Sequence, residues 1–524
     1  MRNAHDQTTS PRRFVPDFLS AHHWYGASAL IILLVAAGLR FYRLGDIPVW
    51  FDEAAYVAFS QGSFSDMISQ VRGGNSSPLL LPLFTWIIQG VGDFTFAYRL
   101  PSALAGVGTV AVVLLLPRVG VPAPVALASA SVLAASESQI RYSQEIREYS
   151  LGVFTVVVLV YFALKTIKNH SETGPRQFPL GLVATSAVIP WVSYGPILAA
   201  LAVLGVMVLV GIVSRGGARY WVSSGSAVGA LMASSALSYV LVARYQFWVT
   251  TGSHLDDEFP ASSGLRPLEW LLRATERWGR FLVGYDFLLL LFVAGLGLST
   301  IAVVAKALGR RDSGATLQLA EAHFVVILTI LGVLLGGLWA AAFLDLYPFG
   351  PIRQQLFAAP LLVLGGAYSL WFLLTSAGRV KIVLMTVLGL GLLVAQTGLT
   401  HYSERDSGVK YELAVSFVLQ QLESRESSTT RAWIHPGIAP MFSYYAPEEA
   451  FPLIPATDSE SEFLAQLAPQ DNETLVLAVG RTSEAEVSRI TRILTATDYS
   501  VAQETFDNTI VFVVTTSTTG GGQN

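Results

Sequence analysis

The chain has no cysteine, which excludes disulfides and thiolate metal sites without fixing a compartment. Charge is scarce as well. Asp, Glu, Lys and Arg make up only 13% of the 524 residues. Lysine is rare beside arginine, alanine and glycine, a bias that follows genome composition rather than function. No glycine-rich phosphate loop and no nucleotide-binding domain is visible, which removes the usual cradle for a soluble nucleotide. No nucleic-acid partner is expected. No helical repeat is found, which weakens a transporter reading, since many transporter folds are two related halves.

What is abundant is apolar sequence: 52% of residues are hydrophobic and the mean hydropathy is +0.52. The apolar residues come in runs of 15 to 25, which excludes an ordinary soluble enzyme and predicts a polytopic helical membrane protein. The runs place eleven spans at about 24–42, 99–117, 122–137, 149–167, 178–194, 196–213, 220–243, 284–308, 321–344, 355–376 and 380–400. Residues 1–23 form a cytoplasmic tail with Arg2, Arg12 and Arg13, and no small-residue cleavage site follows the first run, which reads as a retained anchor. The segment 78–92 is apolar, but its roughly 15 residues and two prolines are short for a 30 Å hydrocarbon core. Parity decides its reading. With 78–92 not spanning, Arg118, Lys165, Lys168, Arg176, Arg215, Arg219, Lys306, Arg310, Arg311, Arg379 and Lys381 all fall on the side of the N-terminus, as the positive-inside bias requires. Residues 78–92 then read as a re-entrant or interfacial helix, and 43–98 as one long exoplasmic loop.

The tail changes character. From His401 onward there are 17 acids against 7 bases, a net of −10, which leaves the membrane part at about +6. Strand-length apolar runs at Ala432–Ile434, Thr474–Val479 and Thr509–Thr515 alternate with amphipathic stretches at Tyr411–Leu422 and Ser483–Leu494. Residues 401–514 are therefore expected to form a soluble α/β domain on the exoplasmic side, with 515–524 a disordered Thr/Gly-rich end.

The same topology gathers acids and aromatics outside. Trp50-Phe51-Asp52-Glu53 follows the first span by about ten residues, and a second cluster, ESQIRYSQEIREY, occupies 137–149. Continued as a helix, that cluster puts Arg141, Glu145 and Glu148 on one face beside Tyr142 and Tyr149. Asp52 and Glu53 would point about 100° apart on a helix, so one does chemistry while the other supports the loop or ligates an ion. The alternative is structural: Asp52 as N-cap of an interfacial helix and Glu53 on its dipole.

One dominant carboxylate with scattered arginines suits a particular reaction. A glycosidase needs two carboxyls because an alkoxide leaves poorly without an acid. A sugar on phosphate needs only a base for the acceptor hydroxyl and a cation for the departing phosphate. Asp52 with Arg141, Arg147 or Arg353 matches that division, arginine binding phosphate through a fork that stays charged. Without a nucleotide cradle, a donor reaching this face should be lipid-linked.

The strings FYRLGDIPVWFDEAAYVAF, SPLLLPLFTWIIQGVGDFTFAYRLPSALAGV and RYSQEIREYSL, in order within 38–155, resemble the GT-C glycosyltransferases. They are most similar to the group of dolichyl-phosphate-mannose protein mannosyltransferases and aminoarabinose lipid A transferases. YPFGPIR at 347–353 resembles a late exoplasmic motif of that group. The resemblance implies an all-α GT-C membrane domain over 24–400 and inverting transfer from a polyprenyl-phosphate sugar to a hydroxyl on a glycan, lipid or protein acceptor. It maps the base onto Asp52, with Glu53 and Glu145 as supporting acids; many members carry Asp where Glu145 stands. Arg141, Arg147, Arg353 and Tyr347 are expected at the donor phosphate, and Trp50, Tyr56, Tyr142 and Tyr149 along the substrate. Some members use a divalent ion, so Mg or Mn stays open as a cofactor.

Other features read as structural. His254, Asp256, Asp257 and Glu258 suggest a solvated acidic loop rather than a metal site. Trp270 to Trp278 (WLLRATERW) reads as an interfacial helix with its tryptophans at headgroup level. Arg99 reads as an anchor. A scaffold that presents the tail would not need the acidic motif, and a transporter of a lipid-linked glycan would carry charge inside its spans.

Overall fold

The structure is a computed structural model that describes residues 21–73, 77–89, 95–171, 179–246, 258–261, 263–283, 319–374, 406–423, 430–446, 449, 451–454, 473–480, 484–495, 499–506 and 509–516. Among these, seven helices are long and apolar enough to cross a membrane: Trp24–Phe41, Thr95–Val119, Tyr149–Asn169, Pro196–Val213, Ala218–Gln246, Ala322–Phe343 and Arg353–Phe372. The chain is thus a mostly helical multi-pass membrane protein. Two more expected spans appear as shorter apolar helices, Ala123–Ala135 and Leu180–Val192. At 13 residues each, they reach only about 20 Å. From Val125 to Ala135 every residue of the first is buried, so it is apolar all round because protein surrounds it. The expected spans 284–308 and 380–400 lie outside the described residues.

Two devices bring the first helices together. Buried Arg40 donates from Nη2 to the Leu133 carbonyl (2.9 Å) and from Nη1 to that of Ala134 (3.0 Å). These are last-turn carbonyls of the Ala123–Ala135 helix, which have no acceptor role within it. Gly106 makes room for this clasp: a Cβ there would stand 2.6 Å from Arg40 Nε and 2.7 Å from Ser143 Cβ. The segment expected at the interface holds a nine-residue helix, Leu80–Ile88. Its length of about 13 Å is under half a hydrocarbon core.

The acidic cluster is not one helix. The Glu137–Ser143 helix stops, five residues follow as bends, and a new helix starts at Tyr149. The Gln144 amide donates to the carbonyls of Leu39 and Tyr42 (both 3.1 Å), which ties the break to the end of the first helix. Glu148 thereby leaves the helical phase expected for it.

In the tail, a four-stranded mixed sheet has the order β1-β2-β4-β3, with β1 Thr430–Ile434, β2 Thr474–Gly480, β3 Tyr499–Phe506 and β4 Thr509–Thr516. β1 and β2 are parallel; β2 with β4 and β4 with β3 are antiparallel. β2 is buried along its whole length, so alternate side chains serve two cores. Leu475, Leu477 and Val479 pack with Ile490 and Leu494 of the Glu484–Thr495 helix. Val476 and Ala478 pack with Val415 and Val418 of the Asp406–Glu423 helix and with Phe442 of the Ala439–Tyr445 helix. That second core also takes in Val49 and Ala54 of the membrane part, so the tail packs against the first loop.

The WLLRATERW stretch corrects an expectation. It forms the Pro267–Val283 helix, but Trp270 and Trp278 are only 1% and 2% exposed. Both rings pack on Phe349 of the late loop, so they are covered by protein.

Candidate active site

The acidic pair sits at the start of a short helix, Phe51–Phe59, capped by extended Trp50 (φ −99°, ψ 169°). Asp52 is therefore the second helical residue and not the N-cap. The capping function falls to Glu53, whose carboxylate accepts the Trp50 N–H at 3.4 Å. Glu53 is also gripped by Arg99, from Nε (2.9 Å) and Nη2 (2.8 Å), with both side chains fully buried. Arg99 donates further to the carbonyls of Leu44 (3.0 Å) and Ile47 (2.7 Å), and the Ile146 N–H donates to Glu53 at 2.8 Å. Arg99 is thus an anchor whose principal partner is the second acid. One buried ion pair joins the first loop, the site helix, the Thr95–Leu115 helix and the 144–148 turn.

Asp52 faces the other way, into a different set of partners. Its side chain is 6% exposed; Arg353 Nη2 donates to Oδ2, and Arg147 Nη1 stands 3.9 Å from the same oxygen. Arg147 donates from Nη2 to the Tyr149 hydroxyl at 2.7 Å. Its Nε and Nη1 are buried and make no hydrogen bond among the described residues, and the facing carboxylates of Glu148 and Asp52 are each 3.9 Å away. Burial alone would lower the affinity of this guanidinium for its proton. Tyr149, Tyr56, Glu148 and Asp52 together outweigh it and hold Arg147 charged.

Aromatic faces complete the cluster. Arg147 lies over Tyr56 (4.7 Å) and Tyr149 (5.2 Å), and Arg353 over Trp50 (4.9 Å) and Tyr149 (5.7 Å). Arg353 opens a 3-10 turn, Arg353–Ala358, that is held close to its neighbours. A Cβ on Gly195 would stand 2.6 Å from the Gln354 carbonyl, and the Tyr347 hydroxyl donates to that carbonyl at 3.0 Å. Burial pushes the Tyr347 hydroxyl well above the usual phenol range, so it remains a donor.

Of the residues expected at the site, the structure thus brings together Trp50, Asp52, Tyr56, Arg147, Tyr149 and Arg353. Tyr142 packs edge-on against Tyr149 at 5.6 Å, one shell out. Arg141 pairs with buried Glu145 (3.6 Å) and has a side chain 55% exposed. Glu145 also lies within electrostatic reach of Arg99 and Arg353. Glu258 is buried and paired with Arg277 at 3.3 Å, so this member of the acidic loop is not solvated. His254, Asp256 and Asp257 lie outside the described residues.

Two participants escaped sequence reasoning as site residues. The Tyr56 hydroxyl donates to Glu148 and shares a hydrogen bond with Ser77, all three being buried. Glu148 stood in view within RYSQEIREY, but helical phase placed it with Arg141 instead of Tyr56. A divalent ion fits this donor set poorly. Among the described residues no three His, Cys, Asp or Glu side chains gather as a metal site, and Asp52 already faces two guanidiniums.

Helices long and apolar enough to cross a membrane thus carry an acid–arginine site, and a four-stranded sheet domain packs on the loop that holds it. No protein-family model and no curated protein matches the chain in sequence. Solved structures match in fold. ArnT from Cupriavidus metallidurans bound to undecaprenyl phosphate is 12% identical with a TM-score of 0.51, over 96% of this chain and 100% of that one. Its apo state gives 0.52 at 12% identity, over 96% and 99%. The oligosaccharyltransferase of Archaeoglobus fulgidus in the apo form gives 0.53 at 11% identity, over 93% of this chain and 74% of that one. The chain has the GT-C fold.

Proposed function

We propose that the chain is an inverting glycosyltransferase that moves a sugar from a polyprenyl-phosphate donor to a hydroxyl on a glycan, lipid or protein acceptor. The observation that carries this is the Asp52–Arg147–Arg353 cluster, in which a buried cation keeps two open N–H donors beside a carboxylate. That a structure of this fold binds undecaprenyl phosphate agrees with a lipid-linked donor.

Asp52 is the base. Facing two guanidiniums, it accepts the proton of the acceptor hydroxyl as that oxygen bonds to the anomeric carbon. The bond from that carbon to the phosphate oxygen breaks, and the electron pair leaves with the phosphate. Arg147 and Arg353 take up the developing charge, Arg147 through Nε and Nη1. An arriving phosphate competes with Asp52 for these guanidiniums. Glu53 supports the helix through Arg99, and Tyr347 supports the Arg353 turn. Trp50, Tyr56 and Tyr149 present apolar ring faces to the sugar, and Glu145 with Arg141 borders the site.

On this reading the membrane part carries eleven spans, with the N-terminus cytoplasmic and the first loop and tail exoplasmic. A reporter fused after Thr400 should report an exoplasmic position, and a cytoplasmic signal would overturn that orientation. The chemistry is tested by Asp52→Asn in a deletion strain. Glycan and lipid mass spectrometry should show the transferred sugar missing while the protein folds and accumulates; unchanged glycan output would sink the assignment. A scaffold would pass that test unaffected.

A further inference from the structure

The tail domain is not a separate passenger. Its Ala439–Tyr445 helix packs onto the site helix: Met441 and Phe442 share a core with Val49 and Ala54, two residues after Asp52. At the end of that helix two adjacent tyrosines reach into the membrane part. The Tyr445 hydroxyl donates to the Val49 carbonyl at 2.8 Å, one residue before the Trp50 cap. The Tyr444 hydroxyl shares a hydrogen bond of 2.5 Å with Thr95 Oγ1, at the first residue of the helix that carries Arg99. The Tyr444 ring also packs on the cluster of Tyr56, Tyr98 and Ile146. One rigid edge-on ring pair, 5.1 Å apart, therefore touches both ends of the frame that aims Asp52: the cap of its helix and the root of the helix holding Glu53.

We infer that Tyr444 and Tyr445 are positioning residues: through Thr95 and Val49 they hold the Asp52 helix against Arg147 and Arg353. This rests on the reading of Asp52 as the base. The Ala439–Tyr445 helix bears on the angle of the site helix through the Val49 carbonyl, through Thr95 and through the core it shares with Val49 and Ala54. The reach of the effect follows from tolerance: a misplacement of about 1 Å at a catalytic group can cost on the order of 100-fold in rate.

The full-length protein allows a direct test, because with no native cysteine every introduced thiol is unique. Gln61, exposed just past the site helix, and Leu413, 52% exposed in the tail, are changed to cysteine and spin-labelled. Pulsed electron resonance should give a narrow distance distribution that widens in Tyr444→Phe/Tyr445→Phe. Glycan produced per protein molecule in cells should fall about 10- to 100-fold, with thermal stability kept. Tyr445→Phe alone serves if the double variant fails to fold. An unchanged distribution, or a widened one with unchanged glycan output, would overturn the inference. Asp52→Asn retaining transfer would instead break the site reading and leave the distance result standing.

Discussion

Asp52 and Glu53 are neighbours in sequence, equally acidic and both buried, yet they sit in opposite kinds of surroundings. Around Glu53 the account closes. Its oxygens accept from Arg99, Trp50 and Ile146, and Arg99 uses its other donors on loop carbonyls. Around Asp52 it stays open, with Arg147 keeping two buried donors that make no hydrogen bond among the described residues. A buried ion pair whose hydrogen bonds are all made is a joint; one that leaves donors over is prepared for a further anion. The difference arises from the helix itself. Successive residues diverge by about 100°, so the same turn that points Glu53 at Arg99 points Asp52 at Arg147 and Arg353.

The widest separation is expected from Asp52→Asn against Glu53→Gln. Losing a general base costs about 10²- to 10⁴-fold in rate. Asp52→Asn should show that loss in glycan output while shifting stability by no more than about 1 kcal/mol, since Glu148 still faces Arg147. Glu53→Gln should do the reverse. It leaves Arg99 charged and fully buried, a cost of about 3–5 kcal/mol. Thermal unfolding in detergent reads the second effect, and glycan output per folded molecule reads the first. Equal stability losses in the two variants would erase the distinction.

A smaller contrast lies in the two arginines. Lysine keeps a charge but replaces a planar fork with a compact ammonium. Arg147→Lys should lower transfer about 10- to 100-fold with stability little changed, because its fork is the part left open to phosphate. Arg99→Lys should lower thermal stability and leave the rate per folded molecule near the parent's. The pair of measurements, taken together, asks whether an open fork or merely a charge matters beside Asp52.

Much of this was legible in the chain, and what was not has a common cause. The apolar runs, three of the tail's four strands and its two longer helices follow from local periodicity. Contacts across long separations do not. Arg353 meets Asp52 from 301 residues away, and only its place in YPFGPIR hinted at it. Glu148 was visible but phased wrongly, because nothing local announces that the helix stops at Ser143; the break is held by Gln144 bonding to another helix. Trp270 and Trp278 looked interfacial because composition cannot show that Phe349 comes to cover them. β3 was missed for a different reason. It is an edge strand with mostly exposed side chains, held by backbone pairing to β4, so it carries no apolar run.

The smallest expected effect concerns the hydroxyl that links the open cluster to the first loop. Burial, reinforced by Glu148, pushes Tyr56 well above the usual phenol range, with Arg147 opposing. The sign of the consequence is fixed by linkage. Above about pH 10 an unfolded tyrosine loses its proton while the folded one keeps it, so the folded state binds more protons and stability falls as pH rises. One such group contributes a slope of at most about 1.4 kcal/mol per pH unit, beginning near pH 10. Tyr56→Phe should remove that share of the alkaline slope, seen as a shallower fall of thermal stability between neutral and strongly alkaline pH. It should also cost about 1–3 kcal/mol at neutral pH, because buried Glu148 loses a donor. An alkaline slope identical in the two proteins would mean that Tyr56 ionises freely in the fold, and that the open cluster is wetter than its burial indicates.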